Sequence, residues 1–207
     1  PEEVVGEAER SGCASISYTY VEPTVFYEFA RDCGLLAHGR GIRNVFVSNG
    51  YLSAEATRDL ATWLDAINID LKAYTDAFYR QVCKARLQPV LDTIRLCHEL
   101  GLWVEVTTLL IPGLNDSDEE LRGAARFLRE ISPAIPWHVT GFSPTYRMLD
   151  RPPTPLASLR RAREIGLEEG LVHVYQGNVR DEGGEDTRCP DCGALLIARH
   201  GFHSRIE

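Results

Sequence analysis

The sequence predicts an α/β fold built on a parallel sheet over its 207 residues. Short runs of β-branched and apolar residues alternate with longer stretches whose apolar residues recur every three or four positions. Such an order joins parallel strands through helical crossovers. The first strand pattern ends Tyr18-Thr19-Tyr20-Val21-Glu22-Pro23, without the Gly-x-Gly-x-x-Gly turn of a dinucleotide-binding sheet. A full or partial TIM-like (β/α) barrel is therefore favoured over an open doubly wound sheet.

The strand pattern occurs in six segments, which cover residues 14–20, 44–48, 66–71, 103–110, 137–139 and 171–175. A helical pattern begins at Pro1, and five longer helices are predicted over residues 24–38, 53–64, 87–100, 117–131 and 155–167. Ser117 and Glu120 have the spacing of a capping box, and Thr154-Pro155 has the form of an N-cap followed by proline.

The composition changes after residue 180, where acidic residues and glycines predict a solvated linker. We therefore divide the chain into a barrel domain, residues 1–180, and a tail, residues 181–207. The tail contains Cys189 and Cys192 in a Cys-x-x-Cys pair, which is half of a zinc-knuckle pattern. His200 and His203 are candidates to complete four zinc ligands, and the alternative is a flexible tail that binds no metal.

Charge and hydropathy exclude several classes of partner. A formal charge of -8 and a pI near 5.3 provide no basic stripe for nucleic acid. We find no apolar run of about 18 residues and no secretory leader, so no membrane association is expected. The other cysteines are scattered singly, as is typical of free thiols in the cytoplasm. Because the chain starts at Pro1 without a methionine and directly in a helical pattern, we expect a fragment.

Polar residues follow the strand patterns at the positions where a parallel barrel has its active site. They are Glu22, Asn49, Asp70, Lys72 and His138. Each residue alone could be a loop cap, Asp70 and Lys72 could form a structural ion pair, and His138 could be a core histidine. Their recurrence at successive strand ends predicts one binding pocket.

A turn follows the longest strand pattern and leads into the helix predicted from residue 117. Its first residues are Leu110, Ile111, Pro112 and Gly113. Apolar side chains and backbone groups in such a turn suit a planar ring, although the segment could also be only a loop.

These motifs together resemble the radical SAM enzymes that activate glycyl-radical enzymes. The resemblance covers nearly the whole chain and depends on the following segments: Tyr18-Thr19-Tyr20-Val21-Glu22-Pro23, Ser48-Asn49-Gly50-Tyr51, Asn68-Ile69-Asp70-Leu71-Lys72-Ala73, Ile111-Pro112-Gly113-Leu114-Asn115-Asp116 and Pro136-Trp137-His138. The residues 103–110 and 148–155 are similar to the radical SAM enzyme of the AmmeMemoRadiSam system.

The resemblance implies a partial barrel that binds S-adenosylmethionine and a [4Fe-4S] cluster. Glu22 would contact the methionine amino group, and Asn49, Asp70 and Lys72 the ribose and carboxylate. His138 would lie on the nucleoside side, and residues 110–113 would contact the adenine. Carboxylate, ammonium and hydrogen-bonding groups suit such a zwitterionic ligand.

The sequence departs from the family at the cluster. It contains no Cys-x-x-x-Cys-x-x-Cys loop, so we expect the cluster ligands upstream of Pro1 and little activity from these residues alone. A second cysteine pair is expected after the end of the sequence. Tyr20 and Val21 occupy positions where many relatives have glycines, and Val47 replaces an Asp of some activating enzymes.

The functional hypothesis is reductive cleavage of S-adenosylmethionine, followed by hydrogen abstraction from a substrate, for which we expect a protein or a peptide-linked group. One alternative is a Schiff-base lyase or aldolase with Lys72 as nucleophile and Asp70 or His138 transferring protons. The other is a non-catalytic nucleoside- or protein-binding module. The resemblance implies Memo-like and AMMECR-type proteins as partners.

Overall fold

The computed structural model describes residues 1–179, 183–201 and 203–207. The helices are α1 Glu2–Arg10, α2 Tyr27–His38, α3 Ala54–Leu60, α4 Asp76–Phe78, α5 Leu87–Glu99, α6 Asp118–Ile131 and α7 Leu156–Glu168. The strands are β1 Ser15–Tyr18, β2 Arg43–Ser48, β3 Ala66–Asp70, β4 Trp103–Leu110, β5 Trp137–Gly141, β6 Val174–Gly177, β7 Thr187–Arg188, β8 Leu195–His200 and β9 His203–Ile206. No helix within these ranges is long and apolar enough to cross a membrane.

Strands β1 to β6 form one parallel sheet in the order of the sequence, which confirms the predicted fold class. In a doubly wound sheet the order would reverse at an inner strand. A sequential order with right-handed crossovers instead places every connecting helix on the same face, as in a barrel wall. The six predicted strands are all present, although β6 begins at Val174 and not at Leu171.

The side chains of each long strand alternate between a buried and a more exposed face. In β4, Val104, Val106, Thr108 and Leu110 are buried, and the residues between them are exposed or half-buried. β2 and β3 show the same alternation, with Phe46, Ile67 and Ile69 on the buried face. Because side chains along a strand point to opposite faces, the half-buried face is the one that can meet a ligand.

The chain divides into two compact units, of which the first comprises residues 1–71 and 86–105. Its core surrounds Trp63, which is fully buried and meets the rings of Tyr18, Tyr27 and Phe46 edge-on. Edge-to-face packing of this kind stabilises a core beyond simple area burial.

Asn44 ties the same core together through three side-chain hydrogen bonds. Its Nδ2 donates to the carbonyl oxygens of Gly34 (3.0 Å) and Trp63 (3.2 Å). Its Oδ1 accepts from the Tyr18 hydroxyl at 3.2 Å. This fully buried amide therefore has its hydrogen-bonding groups satisfied, as burial requires.

The second unit comprises residues 72–85 and 106–207. Its core contains the buried Trp137, whose indole N–H donates to the Thr108 hydroxyl at 3.0 Å. Gly166 of α7 lies against this ring, since a Cβ there would be 3.0 Å from Trp137 and 2.8 Å from Val174. Each unit thus has a buried tryptophan in its core, and in both a helix glycine, Gly34 of α2 or Gly166 of α7, lies against the ring.

Two of the predicted helix caps differ from the structure. Ser117 caps α6, accepting from the backbone N–H of Glu120 at 3.3 Å, but the Glu120 carboxylate accepts from the Tyr74 N–H at 2.7 Å instead of turning back to Ser117. Thr154 is not the N-cap of α7, which begins one residue later with Pro155 as N-cap. Its hydroxyl instead bonds Phe142 and Leu110, because the chain there returns to the end of β4.

The tail contains an antiparallel sheet, β7-β8-β9, that the sequence did not predict. Thr187 pairs with Ile197, and β8 and β9 form a hairpin in which His200 is opposite His203. The proposed boundary between residues 180 and 181 lies outside the described residues. The domain division itself stays a prediction.

A glycine substitution tests the packing against Trp63. A Cβ at Gly34 would lie 2.2 Å from the Trp63 ring, so we expect Gly34→Ala to destabilise the protein by about 1–3 kcal/mol. Gly6→Ala in α1 is the control, because its Cβ meets only the flexible ends of Arg10 at 3.3 Å and Arg40 at 4.0 Å. That change should stabilise by roughly 0.5–1 kcal/mol. Urea unfolding measures both, and equal stabilities for the two variants would contradict the packing.

Candidate functional site

Glu22 lies at the carboxyl end of β1 and is held by four hydrogen bonds. Its Oε1 accepts from the hydroxyls of Ser48 (2.8 Å) and Thr24 (3.0 Å) and from the Thr24 N–H (3.4 Å). Its Oε2 accepts from the Asn49 N–H at 2.8 Å. Since these donors fix the half-buried carboxylate in one orientation, it is prepared for a further donor such as an ammonium group.

The Ser48-Asn49-Gly50 turn follows β2 directly and needs a glycine. Gly50 has φ +69°, and a Cβ there would lie 2.6 Å from Cγ2 of Ile69. Asn49 is exposed, and its side-chain oxygen accepts from the Tyr51 N–H at 2.8 Å, which leaves the amide NH2 as its donor group. The structure thus brings Glu22 and Asn49 together, as expected for residues at neighbouring strand ends.

Tyr20 keeps a glycine-like backbone although it is not glycine. Its φ is +70° and its side chain is fully exposed. A non-glycine residue in this region is strained by about 1 kcal/mol, and such strain is found at functional sites. The backbone before Glu22 thus has a conformation that glycine adopts without strain.

Asp70 ends β3, where it is half-buried and shares a face with Asn68. Val47 lies opposite Asn68 in the β2–β3 register, on the same half-buried face. An apolar side chain at this position offers no oxygen to a cation.

Lys72 follows β3 and belongs to the second unit. Its backbone N–H donates to the Tyr79 hydroxyl at 3.1 Å, and its carbonyl oxygen accepts from Nδ2 of Asn115 at 2.7 Å. Both backbone polar groups are thus bound by side chains. The position of Lys72 therefore depends on Tyr79 and Asn115.

Residues 110–113 follow β4, and their side chains are not all available to a ligand. Leu110 and Ile111 are buried, at 0% and 7% exposure. Strand alternation places Leu109, not Leu110, on the half-buried face. If this segment contacts an adenine, as predicted, the contact must therefore come from its backbone groups and from the accessible residues Pro112 and Gly113.

Four side chains hold this segment in place. Asn115 and Asp116 accept from the N–H groups of Ile111 (2.6 Å) and Gly113 (2.8 Å). Thr154 donates to the Leu110 carbonyl at 2.5 Å, and Arg151 donates to the Pro112 carbonyl at 3.3 Å. A loop with its backbone groups paired in this way keeps one conformation for a ligand.

His138 lies on the half-buried face of β5 and is not a core histidine. In register it is next to Thr107 of β4 and Tyr175 of β6. Its ring stacks on Tyr175, with 5.4 Å between ring centroids. The position on the half-buried face agrees with a ligand-contacting role.

The cysteines do not provide a cluster site in these residues. Burial raises the pKa of Cys33 and Cys83, and raises that of Cys97 to about 12, which opposes thiolate formation. In the described part of the chain, no three His, Cys, Asp or Glu side chains group closely enough to hold a metal ion. The residues present therefore do not fit a [4Fe-4S] cluster, which requires cysteine thiolates.

Cys189 and Cys192 lie in the turn between β7 and β8. Backbone N–H groups of Cys192 and Asp191 that donate to the Cys189 sulfur lower the pKa of that thiol. His200 and His203 do not join this pair in a group of ligands within the described residues. In the register of β8 and β9 the two histidines lie opposite each other, and completion of a zinc site by them stays a prediction. Zinc at the two cysteines stays a prediction.

The comparisons with known proteins assign the family. The Radical SAM superfamily matches residues 1–128. The chain belongs to this superfamily. Its members use S-adenosylmethionine and a [4Fe-4S] cluster.

Two curated relatives extend over most of the chain. An uncharacterized protein of Methanocaldococcus jannaschii is 48% identical over 207 residues, which are 100% of this chain and 61% of the relative. The isethionate sulfite-lyase activating enzyme of Oleidesulfovibrio alaskensis is 27% identical over 182 residues, covering 86% of this chain and 56% of the relative. The chain thus spans less than two thirds of the length of each.

A solved structure agrees with the fold. A domain of the pyruvate-formate lyase-activating enzyme from Bacteroides vulgatus superimposes with a TM-score of 0.67 at 20% identity. The match covers 79% of this chain and 98% of that domain. The predicted partial barrel of radical SAM type and the similarity to glycyl-radical activating enzymes are confirmed.

Several residues that shape the site could not be assigned from the sequence. They are Thr24, Tyr79, Asn115, Arg151, Thr154 and Tyr175. Asn115 belongs to the turn motif of residues 111–116. Its hydrogen-bond partners Lys72 and Leu109, however, are 43 and 6 residues away along the chain. Only the folded chain shows such partners.

A pair of glycine variants separates steric from backbone effects at the Asn49 turn. Gly50→Ala should lose about 1–2 kcal/mol from its positive φ and a further ~1–3 kcal/mol from the clash with Ile69. Gly41 has φ +73° but no atom within 4 Å of a Cβ, so Gly41→Ala should show the backbone loss alone. Chemical denaturation gives the difference. Equal losses of stability in the two variants would show that the Ile69 side chain moves aside at no energetic cost.

Proposed function

We propose that residues 1–179 form the S-adenosylmethionine-binding barrel of a longer radical SAM enzyme, similar to those that activate glycyl-radical enzymes. The observation that carries this proposal is the Glu22 carboxylate, which Ser48, Thr24 and Asn49 orient at the carboxyl end of β1. A fixed anion at this position is what the amino group of a methionine moiety requires.

The remaining groups of the ligand have chemically suitable residues. In the first unit, Asn49 and Asp70 offer a donor and an acceptor for ribose hydroxyls. In the second unit, Lys72 offers an ammonium for the ligand carboxylate, His138 a polar aromatic ring for the nucleoside, and residues 110–113 backbone groups for the adenine. This set supports S-adenosylmethionine over a phosphate-bearing nucleotide, since no glycine-rich phosphate loop is present.

We further propose that the cluster ligands lie in a part of the protein outside these residues, and that the sequence is a piece of a longer chain at both ends. The length of the relatives supports a longer chain, because the matched region is 61% and 56% of their length. The activity that we propose for the full-length protein is reductive cleavage of S-adenosylmethionine to methionine and a 5'-deoxyadenosyl radical, for which the cluster would supply the electron, and abstraction of hydrogen from a substrate by that radical.

The substrate and partners follow from the finer resemblance. Residues 103–110 and 148–155 support an enzyme of the AmmeMemoRadiSam type, so we propose a protein substrate and Memo-like and AMMECR-type partners. Six free cysteines, two of them buried, support a reducing compartment such as the cytoplasm.

Glu22→Gln in the full-length protein tests the proposal. After anaerobic reconstitution, calorimetry should show that this variant binds S-adenosylmethionine about 10- to 100-fold more weakly, since a charge-assisted hydrogen bond becomes a neutral one. The control is Glu28→Gln, an exposed residue of α2, which should bind as the unmodified protein does. Dithionite-dependent formation of 5'-deoxyadenosine should fall with affinity in the first variant only.

Other outcomes identify the alternatives. The Schiff-base hypothesis is not favoured by the family match, and borohydride trapping of a carbonyl compound on Lys72 would reverse that judgement. Binding of S-adenosylmethionine without any cleavage by the full-length protein would indicate a non-catalytic module. Residues 1–207 alone should show no cleavage, and strong cleavage would contradict the placement of the cluster ligands.

A further inference from the structure

Asn115 is a buried amide that joins two separate segments of the second unit. It is 1% exposed. Its Nδ2 donates to the carbonyl oxygen of Lys72 at 2.7 Å and to that of Leu109 at 2.9 Å. Its Oδ1 accepts from the N–H of Ile111 at 2.6 Å. One side chain thus bonds the segment after β3 and the segment after β4.

These hydrogen bonds require an amide in this position. Two carbonyl oxygens face the Nδ2 group and one N–H faces the Oδ1 group, so the site presents two acceptors and one donor. A carboxylate would face the two carbonyls with no proton to donate, and an apolar side chain would leave all three backbone groups unpaired. Neither a shorter hydroxyl nor a charged group can satisfy all of them.

Further side chains hold each of the two segments. Lys72 is bound on its N–H side by the Tyr79 hydroxyl. The segment 110–113 is held by Asp116, Arg151 and Thr154, none of which bonds Lys72 in the described contacts. Asn115 is therefore a direct hydrogen-bonded link between Lys72 and Ile111.

We propose that Asn115 is a positioning residue, which fixes the distance between Lys72 and the backbone of residues 110–113. The inference rests on the proposed function, in which these segments contact the carboxylate side and the adenine of one S-adenosylmethionine molecule. A ligand that bridges both segments gains affinity only when their spacing is correct. The affinity for a fragment of the ligand that contacts only one segment does not depend on that spacing.

The test compares the whole ligand with its two parts. In the full-length, reconstituted protein, we expect Asn115→Asp to weaken S-adenosylmethionine binding by about 10- to 100-fold, since small misplacements have effects of this order. The affinities for methionine and for adenosine, each measured separately by calorimetric displacement or ligand-observed NMR, should change by less than about threefold. A purely structural role would weaken all three ligands together.

Asn44→Asp is the matched control. Asn44 is fully buried and also makes three side-chain hydrogen bonds, but it lies in the core of the first unit around Trp63. Both variants should lower the urea midpoint. Only the Asn115 variant should bind S-adenosylmethionine more weakly while its affinities for methionine and for adenosine stay nearly unchanged.

Tyr79→Phe provides a second, milder variant in case Asn115→Asp does not fold. It removes only the hydroxyl that binds the Lys72 N–H, so whole-ligand affinity should fall by roughly threefold with unchanged fragment affinities. Unmodified protein that does not bind S-adenosylmethionine refutes the proposed function. If it binds, and folded variants keep its affinity for the whole ligand or lose all three affinities equally, the positioning role is refuted.

Discussion

The burial of one face of each parallel strand is the constraint on which the rest of this structure depends. Helical crossovers in a sequential sheet cover a single face, so the residues of that face must be apolar or internally hydrogen-bonded. Phe46, Ile67 and Trp137 satisfy the first condition, and Thr108 satisfies the second through the Trp137 indole. Polar residues that a ligand needs are consequently confined to the other face, where Asp70 and His138 lie.

The same constraint creates a difficulty where each strand ends. Backbone groups lose their sheet partners there, and water competes for them unless side chains intervene. Glu22 binds the Asn49 N–H, Asn115 binds Lys72 and Ile111, and Thr154 binds Leu110 and Phe142. These side chains fix the backbone after the strands, so the groups that stabilise the loops also hold residues that we propose as ligand contacts.

The two cores show why glycine is needed at specific positions. Gly34 and Gly166 occur in helices, where glycine is intrinsically unfavourable by about 1 kcal/mol relative to alanine. Each nevertheless lies against a buried tryptophan, at a distance that no Cβ could share without displacement. The helical cost is offset by close packing of a large ring, because protein interiors tolerate neither overlap nor voids. The sequence alone shows these residues only as unexplained glycines within helical patterns.

Much of this protein was determined by local pattern. The alternation of strand and helix segments, the absence of a phosphate loop and the polar residues after each strand were sufficient for the barrel class and for Glu22, Asn49, Asp70, Lys72 and His138 as site candidates, since periodicity and strand direction are local properties. The tertiary structure decided the features that depend on long-range contacts. Glu120 binds Tyr74 instead of completing a capping box, and Thr154 binds the end of β4 instead of capping α7. Leu110 is buried, whereas the nearby Gly113 is accessible. The three-stranded tail sheet and the link through Asn115 belong to the same group. Hydrogen bonds between residues tens of positions apart have no periodicity, so only the folded chain could show them.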